Sequence, residues 1–144
     1  MPVEMTKEVL TSYRSKQEEI RELTIIIENR YRDESLIGND VILDYSKGYP
    51  PIPQGVVGFD VGKYKRLQDR DRRRKARLEK ECSEIEDFIE AIPDSITRRI
   101  FRMVFLEGRK QKDVARTVHL DRSRVSRKID DFLKNAHKAQ NAHL

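Results

Sequence analysis

The segment DRSRVSRK, Asp121 to Lys128, sets basic and hydroxyl side chains around one apolar residue, Val125. A guanidinium can pair bidentately with guanine, and a serine hydroxyl can meet either a base edge or a phosphate. With Val125 and Ile129 turned inward, Arg122, Ser123, Ser126 and Arg127 are the candidate base contacts. Lys110, Gln111, Lys112, Arg124 and Lys128 are the candidate phosphate contacts. Some of these stand near the amino end of a helix, whose free N–H groups also favour anions. The plainest alternative makes all of them ordinary surface groups on a small helical bundle.

Positioning such residues requires two helices and a tight turn. A short helix fits 111–118, a turn follows at His119 and Leu120, and Asp121 stands as N-cap of a last helix over 121–136. In a twenty-residue helix-turn-helix frame beginning at Gln111, Val114, Val118, Leu120 and Val125 fall on buried positions. Ala115 falls where the two helices touch and only a small side chain fits. Two departures stand out. His119 occupies the turn position usually given to glycine, which reaches positive φ without steric cost. The last anchor, Ile129, comes one residue late, yet Val125, Ile129, Phe132 and Ala136 still step along one helical face. Upstream, Pro93 and Asp94 open a third helix that carries Ile96, Ile100 and Val104 on one stripe, with Phe101 and Phe105 beside it, and ends at Gly108.

The stretch IPDSITRRIFRMVFLEGRKQKDVARTVHLDRSRVSRKIDDFL resembles region 4, the promoter-reading module of sigma-70-type factors. That family's pattern runs through LP, a helix ending YLEG, an EIA-type short helix, LGIS and a basic R-x-x-V recognition helix. The match covers about 40 residues. With its amino-terminal coil, Gly/Pro-rich middle and IPDSI junction, the whole chain is similar to the small sigma-like regulators of phages and prophages of Gram-positive bacteria, the ArpU type. The resemblance implies double-stranded DNA binding and control of transcription, with no enzymatic activity.

The amino-terminal half reads as coil. From Thr6 as N-cap, Leu10, Tyr13, Gln17, Ile20, Thr24, Ile27 and Tyr31 step by three and four. A second long helix over 61–92 repeats that spacing through Tyr64, Leu67, Asp71, Arg74, Leu78, Glu81, Ile85, Phe88 and Ile92, and Pro93 ends it. Its seam is interrupted at RDRRRKAR, Arg70 to Arg77, a solvated face in the bland reading and a phosphate contact in the sharper one. Between the helices, 34–60 is rich in glycine and proline and reads as a loop or small hairpin that packs on the helices or serves as a contact surface. The piece VVGFDVGK fails as a phosphate-binding loop, because Val57 replaces its first glycine and Tyr64 its magnesium-holding hydroxyl.

Charge is segregated along the chain. Residues 1–60 carry a net −4, 61–81 +6, 82–92 −4 and 93–144 +7. Two basic blocks of this kind suit a polyanion, since each phosphate contact releases condensed counterions. The longest aliphatic run, Ile25 to Ile27, is far short of the roughly 20 residues that span a bilayer, and the first residues lack a signal-peptide pattern. No membrane partner and a cytoplasmic location are expected. The single Cys82 has no CxxC partner, and with His137 and His143 it makes no metal-ligand spacing. No nucleophile, base and orienting group can be assembled, so neither catalysis nor a cofactor is expected.

These features combine into an all-α expectation: a long antiparallel, coiled-coil-like hairpin over 1–92, then a helix-turn-helix domain of sigma region 4 type over 93–144. The leading function is a sequence-specific transcription regulator whose coil contacts RNA polymerase or a second copy of the chain. Two alternatives remain at this stage. One is a small terminase-like DNA-packaging component that assembles into a ring, and the other an adaptor whose coil grips a protein while the basic module adds nonspecific DNA affinity.

Overall fold

A computed structural model of the protein describes residues 4–33, 36, 43–44, 52–53 and 60–141. Among the described residues the fold is all-helical but for one antiparallel pair of two-residue strands, β1 (Leu43–Asp44) and β2 (Ile52–Pro53), with Leu43 opposite Pro53. The rest of the expected loop at 34–60 lies outside the described residues, except Leu36 and Asp60.

Helix α1 (Lys7–Thr11) starts where Thr6 accepts a hydrogen bond from the Val9 N–H, the N-cap expected from the sequence. Ser12 interrupts it only slightly, and α2 (Tyr13–Asn29) continues into a 3₁₀ turn at Arg30–Arg32. The next long helix, α3 (Val61–Glu90), is capped by Asp60, whose carboxylate accepts from the Lys63 N–H at 2.8 Å. Pro93, which has no N–H to continue the ladder, follows its last turn.

Contact density divides the chain into two compact units, one made of residues 1–17 and 80–144 and the other of 18–79. The expected boundary at 92/93 runs through the first of them. Its core joins Leu10 of α1 and Ile85 and Ile89 of α3 to Ile100, Phe101, Val114, Val125 and Ile129 further along, all fully buried. Phe132 stacks edge-on against both Phe88 and Phe101, with ring centroids 5.9 and 5.4 Å apart.

Within this unit α4 (Ser95–Phe101) is capped by Asp94, which accepts from the Thr97 N–H at 3.0 Å and from the Thr97 hydroxyl at 2.6 Å. The helix then widens into a π turn over Arg102–Leu106, where the Glu107 N–H reaches back to Arg102. The extra residue rotates Met103 and Phe105 into the core and leaves Val104 half-buried. This corrects the expected stripe. Ile96 is 39% exposed, because the buried face centres on Thr97, Ile100 and Phe101 and leaves Ile96 at the rim of the first turn.

Gly108 ends the segment at φ +68°, and Arg14 lies across it, donating to the carbonyl of Glu107 at 2.8 Å and, more weakly, to that of Leu106. Carbonyls left open at a helix end thus receive a charged donor from a distant part of the sequence. The chain resumes as α5 (Gln111–Val118) and α6 (Arg122–Asn141).

The second unit has a polar centre. Arg30, 6% exposed, ion-pairs with Asp71, 2% exposed, and donates to Gln68 at 2.7 Å, while Gln68 donates to the Ile27 carbonyl at 3.1 Å. Asp71 also accepts from Arg70 at 3.0 Å. At Asp71 the break in the apolar seam of α3 is therefore filled by a hydrogen-bonded cluster, while Arg74 further along is exposed. Burial alone would raise the Asp71 pKa, but hydrogen bonds from Arg70 and Arg30, together with their charges, outweigh it and hold the carboxyl below its ordinary value.

Candidate nucleic-acid interface

The turn between α5 and α6 decides how their side chains are presented. His119 sits in the left-handed region at φ 59° and ψ 43°, and the Leu120 N–H reaches back to the Ala115 carbonyl at 3.0 Å. This conformation closes α5 in the manner glycine ordinarily provides, with histidine taking the steric cost. Val114, Ala115, Val118, Val125 and Ile129 are all buried, whereas Leu120, expected on a buried position, is only half-buried. Asp121 starts α6 with its carbonyl, which accepts from the Arg124 and Val125 N–H groups.

With Val125 and Ile129 fixed inward, the remaining side chains of α6 fall on definite sides. Arg122, Ser123, Arg124 and Arg127 are exposed, whereas Ser126 and Lys128 are half-buried. Ser123 and Arg127, four residues apart, share the outer face. Arg122 instead helps to line a shallow recess with Lys110, Gln111 and Lys112, where the amino ends of α5 and α6 come together. Three cationic groups and two sets of open helix N–H groups there suit a phosphate.

Lys128 stands apart from this group. Its charge acts on Asp94, whose carboxyl is held below the ordinary value first by the Thr97 hydroxyl, then by the Thr97 N–H and the nearby Lys128 and Arg98 charges. Arg109 was not singled out by spacing. It is brought beside α5 by hydrogen bonds to the Met103 sulfur at 3.1 Å and the Thr117 hydroxyl at 3.3 Å, contacts that no sequence period announces. Of the acidic residues on α6, Asp130 pairs with Lys7 of α1 at 3.7 Å.

Among the described residues no group of three or more His, Cys, Asp or Glu side chains could hold a metal ion, and no helix is long and apolar enough to cross a membrane. No family model matches the chain, and comparison with curated proteins and with solved structures gives no match.

Proposed function

We propose that the chain is a sequence-specific, sigma-like transcription regulator in which α5 and α6 act as a helix-turn-helix and α6 lies in the DNA major groove. The observation that carries this reading is the joint behaviour of the frame: Val114, Ala115, Val118 and Val125 are buried, its turn residue is left-handed, and the Ser123 and Arg127 side of α6 stays open. In such a module the first helix crosses the backbone and the early residues of the second meet base edges. Ser123 and Arg127 are the leading base readers, with Ser126 beside them at the edge of the face. Arg122 divides between base and phosphate, since it shares its recess with Lys110 and Lys112. Lys110, Gln111, Lys112, Arg124 and Lys128 hold the backbone.

The rest of the proposal concerns the coil. Arg30 against Gln68 and Asp71 supports the helical hairpin of the amino-terminal half. Its outer surface serves contact with RNA polymerase or a second copy of the chain, and the regulator works without a catalytic step or cofactor, in the cytoplasm of a phage-bearing or prophage-bearing bacterium. Selection from a random duplex pool at near-physiological salt tests this. A defined motif is expected, and an unenriched pool would contradict the reading.

A further inference from the structure

The basic block of α3 is one coherent face. At 100° per residue, Arg66, Arg70, Arg73 and Arg77 fall within an arc of about 60° and rise over about 16 Å. They border a shallow open recess together with Asp69 and Arg74. The side of the helix that holds Gln68 and Asp71 lies roughly 160° away, so the buried cluster with Arg30 fixes the rotation that turns the arginines outward.

Three features separate this face from an ordinary solvated one. Among the described residues, Arg66, Arg73 and Arg77 have no carboxylate within ion-pair distance. Of the two acidic residues within 66–77, Asp71 is turned inward and engaged by Arg30, which leaves Asp69 as the exposed anion. Like charges three and four residues apart also weaken a helix, and alternating glutamates would have been the stabilising choice. The block further contains six arginines and one lysine, and arginine is the residue whose planar fork matches phosphate.

We infer that the Arg66, Arg70, Arg73 and Arg77 face is a second, sequence-independent binding surface for the phosphate backbone of duplex DNA. The inference rests on the reading of the chain as a duplex-DNA binder. One strand carries a phosphate every 3.4 Å of helix axis, so the stripe spans about five phosphates. Its contribution is affinity without base preference, set by charge and salt.

The test compares the full chain with R66Q/R73Q/R77Q and with the charge-preserving R66K/R73K/R77K, after far-ultraviolet circular dichroism and thermal unfolding establish that all three are folded. Arg70 is left in place because it also holds Asp71. Binding to mixed-sequence duplex DNA is measured across a salt series. Removing three phosphate contacts should lower the slope of log affinity against log salt by about 2.7, which makes the wild type lose about 40-fold more affinity than the glutamine variant between 50 and 200 mM salt. The lysine variant should keep the wild-type slope. An unchanged slope in the glutamine variant overturns the inference, while the wild type's preference for a selected motif would still uphold the regulator. A lowered slope in a protein without base preference upholds the stripe and sinks the regulator. A wild type that binds no duplex DNA overturns both.

Discussion

At the residue scale, readout and grip can be separated by what each side chain meets. Arg127→Ala should weaken binding to a selected site by about 1–3 kcal/mol and relax the preference at one base position, because a guanidinium paired with guanine carries sequence information. Lys112→Ala should weaken binding to all duplexes alike and lower the salt slope by about 0.9, because it neutralises phosphate only. Titrations of both variants against the selected duplex and a scrambled one distinguish the two behaviours. The buried Arg30 and Asp71 pair makes a different kind of prediction. Asp71→Leu alone should cost about 3–5 kcal/mol by leaving a buried guanidinium unpaired, whereas the double change R30L/D71L should recover most of that in urea unfolding. Since the Asp71 carboxyl is depressed in the folded state, its contribution is present at neutral pH and fades as pH falls below the ordinary value of 3.8 toward the folded one. The candidate base readers were legible because Val125 and Ile129 set the phase of α6. Asp71 was legible only as a break in a seam, since nothing local to α3 says that Arg30 will meet it 41 residues away.

At the scale of elements, short-range rules found the starts of helices, whereas α6 runs on to Asn141, past the expected end at 136. Thr6 and Asp94 cap where polar side chains precede apolar periods, Pro93 follows the last turn of α3, and His119 takes the turn position that demands positive φ. Replacing His119 with glycine should stabilise the protein by up to about 1 kcal/mol, as relief of left-handed strain exceeds the added chain entropy. Gly108→Ala should do the reverse by at least about 1–2 kcal/mol, because its backbone is left-handed and a Cβ would lie 2.5 Å from Cδ and Nε of Arg14. Thermal unfolding of the two variants checks both signs. The π turn after α4 was not legible. Its i→i+5 bond serves the packing of Met103 and Phe105, so the helical period drawn through Ile96, Ile100 and Val104 was followed too far in both directions.

At the scale of the molecule, the unit that carries α5 and α6 also contains the first seventeen residues and the end of α3. Leu10 is fully buried in the same core as Val114 and Val125, so Leu10→Ala should cost about 2–5 kcal/mol and shift the unfolding of α5 and α6 with it. Local periodicity placed Leu10 on a coil seam but could not say what would cover it, because that depends on contacts made across most of the chain. The segregation of charge was fully legible, as it needs only the order of residues. For the central claim, the most direct measurement is the ratio of affinities for a selected and a scrambled duplex at one near-physiological salt, for the wild type and for R122A/R127A. A wild-type ratio of about 10³ or more that collapses in the variant is the expected result. Equal affinity of the wild type for both duplexes would contradict sequence reading by α6.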